Sequence, residues 1–168
     1  VWNCGQNDMG QLGRVADPGI WSQCNLDQLQ EIDNVVHVAC GSAHAVFVKG
    51  DGTVWTCGQN GYGQLGRAVP TGEAATANLG QVAELAGAAG AVCGSGFTWF
   101  LKTNGTMWTC GQSSQWQLGR IASSGSPTVV NLGQCTTIDG ISSIACGDNY
   151  SVFLKNDGTV WSCGQNQF

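Results

Sequence analysis

VWTCGQNGYGQLGR spans Val54–Arg67. Near-copies stand at Val1–Arg14 (VWNCGQNDMGQLGR) and Met107–Arg120 (MWTCGQSSQWQLGR), and VWSCGQN opens a fourth at Val160. The copies begin at Val1, Val54, Met107 and Val160, a spacing of 53 residues each time. A catalytic string normally occurs once, whereas a string recurring at fixed spacing specifies architecture. The rest of each unit keeps the same register. Cys40, Cys93 and Cys146 recur, each followed by glycine, as do Lys49, Lys102 and Lys155. Three units fill residues 1–159, and residues 160–168 begin a fourth. Such a period marks a solenoid or propeller unit, which buries its apolar faces only against its neighbours.

Within a unit the periodicity is that of strands. HAVFVKGDGTVWTCG (His44–Gly58) holds two runs rich in β-branched and aromatic residues around Asp51-Gly52. FTWFLKTNGTMWTCG (Phe97–Gly111) and YSVFLKNDGTVWSCG (Tyr150–Gly164) repeat the pattern around Asn-Gly and Asp-Gly. Both residue types tolerate positive φ, so these dipeptides predict tight hairpins. A third strand precedes each hairpin (VVHVAC, AAGAVC, ISSIAC). A weaker fourth is expected around Cys24–Leu29, Ala77–Val82 and Val129–Gln134. Four short strands per unit is the arithmetic of a propeller blade. No sustained 3.6-residue apolar spacing with caps occurs, so little or no helix is expected.

The chain has 168 residues, 10% of them charged, and a net charge of −5. All six basic residues occupy two repeat positions, Arg14, Arg67 and Arg120 and Lys49, Lys102 and Lys155. They read as repeat-locked structural residues. A nucleic-acid binder would gather positive charge on one face, so direct nucleic-acid binding is not expected. No apolar run approaches the ~18 residues of a membrane span. Gly61–Gly66 matches Gly-x-Gly-x-x-Gly, but no helix follows to present its N-terminus to phosphate, so the match is a turn. His37 and His44 are the only histidines, and neither has a sequence-evident partner for nucleophilic or acid–base catalysis. The expectation is therefore no catalytic residue, no cofactor and no metal.

Of nine cysteines, seven are repeat-locked: Cys4, Cys57, Cys110 and Cys163 at one position, Cys40, Cys93 and Cys146 at another. Cys40 and Cys57 fall two strands apart in one blade, near ~10 Å, beyond the ~7 Å a disulfide spans. Buried free thiols acting as small apolar residues are the expectation. Cys24 and Cys135 lie outside the repeat, and a pairing between blades or with another chain stays open for them. Zinc is disfavoured, since no Cys-x-x-Cys or Cys-x-x-His spacing exists. Asn104-Gly105-Thr106 and Asn149-Tyr150-Ser151 are glycosylation acceptors, the first doubling as a hairpin turn. With the cysteines they tilt the expected location toward the cell exterior or surface, with an N-linked glycan as a candidate modification.

ACGSAHAVFVKGDGTVWTCGQNGYGQLG (Ala39–Gly66) resembles the repeat of the regulator of chromosome condensation family: Cys-Gly, His, a hydrophobic strand, Asp-Gly, an aromatic strand, Gly-x-Asn, then Gly-Gln-Leu-Gly. The resemblance covers the chain three times. It implies an all-β fold, a seven-bladed β-propeller of four-stranded antiparallel blades, of which this chain holds a part. Residues 1–168 are thus expected to form one repeat domain (units 1–53, 54–106 and 107–159, with a partial 160–168), excerpted from a longer propeller. Three departures stand out: cysteine replaces the family's frequent Trp at Cys57 and its equivalents, the family His survives only as His44 beside Phe97 and Tyr150, and Trp116 replaces Gly10 and Gly63. The light-sensing segments of the plant ultraviolet-B photoreceptor in this family have no counterpart in GSAHA, GSGFT or GDNYS.

The resemblance and the residues together predict a non-catalytic scaffold that binds a protein partner or self-assembles, within a larger extracellular assembly. Guanine-nucleotide exchange or regulation of a small GTPase is one alternative; a glycan-binding or enzyme-inhibiting propeller is another. Trp2, Trp55, Trp108 and Trp161 are expected to pack between blades. Trp21 and Trp116 break the repeat beside loops and are candidate contact residues, with packing under a long loop as the competing role. Specificity is expected in the variable segments from Arg14 to Leu26, Ala68 to Leu79 and Ile121 to Leu132.

Overall fold

The computed structural model of the chain describes residues 1–14, 22–69, 78–126 and 130–167. Trp21 and the side chain of Cys24 lie outside the described residues. Among the described residues every regular element is a strand. Four antiparallel sheets follow one another. The first pairs β1 (Trp2–Gln6) with β2 (Ser22–Gln28). The second runs β3 (Val35–Cys40), β4 (His44–Lys49), β5 (Val54–Gly58) and β6 (Gly80–Gln81), in that order. The third repeats it with β7 (Ala88–Cys93), β8 (Phe97–Lys102), β9 (Met107–Gly111) and β10 (Gly133–Cys135). The fourth holds β11 (Ile141–Cys146), β12 (Tyr150–Lys155) and β13 (Val160–Gly164). Each complete sheet takes its first two strands from one 53-residue repeat and its last two from the next.

The central hairpins form as the Asp-Gly and Asn-Gly signals predict. Asp51 Oδ1 accepts from Thr53 N at 2.9 Å and from Thr53 Oγ1 at 2.6 Å, while Gly52 supplies φ +79°. Asn104 with Thr106 and Asp157 with Thr159 repeat this turn. The fourth strands are shorter than expected: β6 has two residues and β10 three. The reason is local. Gly58 leaves β5 at φ +103°, and the Asn78 side chain takes over its pairing: Oδ1 accepts from Gly58 N and Nδ2 donates to Gly58 O, both at 2.7 Å. Asn131 does the same for Gly111.

The sheets stack face to face, with β7 against β3 and β4 and β11 against β7. β4 and β8 are consequently buried on both faces, whereas β12, in the last sheet, alternates. Along β4, Ala45 and Phe47 point back toward the first sheet with Leu29, Ile32 and Cys57. Val46 and Val48 point forward, joining Val54, Val82, Phe100 and Cys110. One register later Trp99 points forward into Met107, Leu118, Cys135 and Phe153. Wedges that share side chains in this way have no separate cores.

The end sheets show what an absent neighbour does. Val54 and Met107 are buried, but the equivalent Val160 is 68% exposed. Trp55 and Trp108 pack against the cores. Trp2 and Trp161, expected between blades, are exposed, since no sheet among the described residues covers them.

Candidate protein-interaction face

Two ends of the stack differ chemically. The hairpin turns at residues 50–53, 103–106 and 156–159 lie at one end, with Lys49, Lys102 and Lys155. The Gly-Gln-Leu-Gly loops and the β3–β4, β7–β8 and β11–β12 connections lie at the other, which we call the loop end.

At the loop end the repeated polar residues are occupied by the scaffold. Asn60 braces its loop, accepting from Leu65 N and donating to Arg67 O, and Asn7 does the same with Leu12 and Arg14. Each arginine folds back on the third strand. Arg120 donates from Nε to Thr109 Oγ1 at 2.8 Å and from Nη2 to Thr109 O at 3.1 Å and Asn131 O. Arg67 makes the equivalent bonds to Thr56 and Asn78, and Arg14 bonds Asn3. The guanidinium fork thus ties strand to loop and is not offered to a ligand. At the other end Lys49 pairs with Asp33 at 2.8 Å and Lys155 with Asp139 at 3.3 Å. Lys102, facing Ala86 at the aspartate's repeat position, lies over the Trp108 ring.

Three of the repeated cysteines latch one blade to the loop before it, whereas Cys4 and Cys40, expected buried, are exposed. Cys57 Sγ donates to Gln11 O and Cys110 Sγ to Gln64 O, each at 3.3 Å, and Cys163 Sγ to Gln117 O at 3.7 Å. Burial pushes the Cys57 and Cys110 thiols up to about 12, and Cys146 and Cys163 up to about 11. Burial thus keeps these thiols protonated at neutral pH. Cys135 is buried, its Sγ donating to Gly119 O at 3.3 Å. The eight described cysteines are free. No group of three or more His, Cys, Asp or Glu placed to hold a metal occurs among the described residues.

His44 is structural. Thr98 Oγ1 donates to Gln64 O at 2.8 Å, so the 2.9 Å contact with His44 Nε2 requires the imidazole to donate. That tautomer leaves Nδ1 as a buried acceptor without a partner. Burial holds the imidazole down to about 4, against an ordinary 6.5. The unfolded chain takes up this proton near pH 6.5 and the folded chain only near 4, so acid in that window favours unfolding. Stability is expected to fall by about 3 kcal/mol between pH 6.5 and 4 from this group. His44→Phe, the residue at position 97, should flatten that part of a urea-denaturation pH series. An unchanged slope would reject the assignment.

The remaining candidates sit differently. Trp116 is 64% exposed, in a left-handed backbone conformation at φ +63°. Met9, Tyr62 and Ile121 are also exposed at the loop end. Asn104 is exposed but its carboxamide is engaged by Thr106. Asn149 is partly buried, its carbonyl accepting from Gln165 N. Sequence reading missed Trp99, wholly buried, whose Nε1 donates to Ser151 Oγ at 2.9 Å. It also missed Asn78 and Asn131, although Asn25, Asn78 and Asn131 recur at the 53-residue period.

All-β blades of this connectivity, with polar repeat residues turned inward and loops outward, define a repeat-built interaction fold. Profiles of the regulator of chromosome condensation (RCC1) repeat match residues 1–48 and 104–154, and 35–64 and 141–168, and the chain belongs to this family. It is similar to the E3 ubiquitin-protein ligase HERC2 of Mus musculus, 33% identical over 99% of this chain but 4% of that protein. It is similar to the human RCC1-like G exchanging factor-like protein, 28% identical over all of this chain and 39% of that one. The solved structure of Prp20p from Saccharomyces cerevisiae, described with its binding to Gsp1p and histones, superposes with a TM-score of 0.81 at 23% identity. That match covers 99% of this chain and 39% of Prp20p. Human WBSCR16 gives 0.80 at 23%, covering 97% of this chain and 42% of that one. The chain thus spans well under half of each of these relatives.

These relatives correct the expected extracellular setting. The repeat family is named for chromosome condensation, Prp20p is described with its binding to histones, and a further relative, RUG3 of Arabidopsis thaliana (28% identical over 71% of this chain and 26% of that protein), is designated mitochondrial. None of these relatives supports an extracellular assembly or a glycan at Asn104 or Asn149.

Proposed function

We propose that the chain is a non-catalytic section of a longer propeller that binds protein partners through its loop end, in the regulation of a small GTPase. One observation carries this reading. The polar residues fixed by the repeat are spent on blade-to-blade and strand-to-loop bonds, while the exposed, unit-specific side chains gather on the loops. The relative named as a G exchanging factor-like protein, aligned over the whole of this chain, favours the GTPase setting. Ligase activity is not carried over from HERC2, of which the aligned part is 4%. The exposed Val160 and Trp161 favour a further blade of the same repeat against the last sheet. In the full-length protein Trp161 should then be protected from oxidative footprinting, and full reactivity there would reject the added blade.

The test of function is release of fluorescent GDP from a panel of small GTPases, with pull-down of each by the full-length protein. Accelerated release from one member supports exchange. Binding without acceleration keeps a regulatory scaffold and discards exchange; neither binding nor release rejects the GTPase setting.

A further inference from the structure

The chain holds two Asn-Gly pairs, Asn60-Gly61 and Asn104-Gly105, and the fold treats them oppositely. An asparagine before glycine is open to attack by the next backbone nitrogen, because glycine has no Cβ to shield it. Asn60 is 7% exposed, and both ends of its carboxamide are held: Oδ1 accepts from Leu65 N and Nδ2 donates to Arg67 O, each at 3.0 Å. Asn104 stands at the tip of the β8–β9 hairpin, where Thr103, Asn104 and Gly105 are all exposed. Its Oδ1 accepts from Thr106, but its Nδ2 has no partner among the described residues. A Cβ on Gly105 would meet nothing within 4 Å, so no neighbouring group screens the pair. The third sheet has another sheet packed on either side of it, so this exposure owes nothing to a missing neighbour.

The sibling turns show what the third one lacks. Asp51 and Asp157 stand where Asn104 does, and they accept the same two bonds, from Thr53 and Thr159. Those bonds, from the hydroxyl first and the backbone N–H second, hold both carboxyls below the usual carboxylate range, with Lys49 and Lys155 adding a smaller pull. Lys49 and Lys155 each pair with a further aspartate, Asp33 and Asp139. Lys102 has neither carboxylate, since Ala86 and Asn104 occupy the two positions. The third turn is thus built for an aspartate that its sequence does not encode.

We propose that Asn104 is a site of spontaneous deamidation, by which the third turn acquires the aspartate its siblings carry. Gly105 N, having lost its proton, attacks Asn104 Cγ. A C–N bond closes a five-membered succinimide as the Cγ–Nδ2 bond breaks, and Nδ2 takes up a proton and leaves as ammonia. Water is the only co-reactant, and nothing is oxidised or reduced. Its attack at Cγ reopens the ring to aspartate; its attack at the backbone carbonyl carbon gives isoaspartate, with an extra methylene in the main chain. The fold sets the rate. Gly105 N donates to Lys102 O at 2.9 Å, so the hairpin tip must open before the nitrogen can turn onto Cγ. Opening an exposed tip costs much less than opening packed structure, which is what Asn60 requires. An aspartate at 104 keeps both bonds to Thr106, now charge-assisted, and places a carboxylate near Lys102.

The experiment incubates the folded full-length protein at neutral and mildly alkaline pH. Peptide mass mapping follows the exchange of NH2 for OH at Asn104 and Asn60 in the same sample, with isoaspartate measured separately. Conversion at Asn104, faster in alkali because the attacking nitrogen must be deprotonated, and about 10-fold or more slower at Asn60, is expected. Gly105→Ala should slow it at Asn104 while leaving the protein folded. Asn104→Asp should unfold at or above the wild-type temperature, as an accepted product must. Asn104 intact in the folded protein but converted in urea would show that the turn protects the pair, and would overturn the proposal. Equal rates at Asn60 and Asn104 would overturn the selection by fold. A lowered melting temperature in Asn104→Asp would overturn the match to the sibling turns.

Discussion

Trp99→Ala is expected to remove about 3–5 kcal/mol of stability, the largest loss of any single truncation here. The indole is fully buried and stands edge-on to Phe153, with ring centroids 4.9 Å apart. Its Nε1–H reaches Ser151 Oγ, which donates in turn to Gln117 O. One residue thus joins the third sheet, the fourth sheet and the loop between them. Alanine leaves a cavity that the backbone cannot close, because the two sheets are held apart by the rest of the interface. Trp99→Phe keeps most of the volume and loses the N–H, so a loss of about 1–2 kcal/mol is expected. Urea denaturation measures both. A loss under about 1.5 kcal/mol for the alanine variant would show that the third and fourth sheets do not depend on each other.

Gly111→Ala should be nearly as damaging, by about 3 kcal/mol or more, for a backbone reason. A Cβ there would lie 2.5 Å from Gly96 O and 2.7 Å from Phe97 Cα. Neither is a flexible side-chain tip, and φ of +108° is itself unfavourable for alanine. Shifting Gly111 would also break its paired bonds with Asn131. Gly105→Ala is the internal control. Its φ is +81° but a Cβ meets nothing within 4 Å, so only the conformational cost of about 1–2 kcal/mol is expected. Equal losses for the two glycines would mean that close approach at Gly111 contributes nothing.

The scaffold was legible because its signals repeat. The turn at Asp51-Gly52 followed from the Asp-Gly signal and the reading of Arg14, Arg67 and Arg120 as structural from recurrence, and the structure gives each a bond that explains it. Trp99 escaped notice because Val46 and Val152 hold its position in the neighbouring units, so its size is a local solution to packing on Phe153. The short β6 and β10 were not foreseen because a side-chain amide, not backbone, completes the edge at Gly58 and Gly111. Trp116 was visible as a departure from glycine, but its positive φ was not, because a bulky residue gives no sign of a left-handed turn. Trp21 and Cys24 were also singled out; Trp21 and the side chain of Cys24 lie outside the described residues. The cellular setting was misread because cysteines and short acceptor motifs mean different things in a chain where thiols such as Cys57 and Cys110 are buried hydrogen-bond donors.

Because β3 and β4 come from one repeat and β5 and β6 from the next, the seams of the sequence run through the middle of the sheets. Cutting after Thr53 would split a hairpin, whereas a break between Val82 and Gly87 falls where one sheet hands over to another. Gene duplication by 53-residue blocks therefore inserts half-sheets that must be completed by both neighbours. Each added block is sewn in from two sides, and none can swing free like a bead on a string.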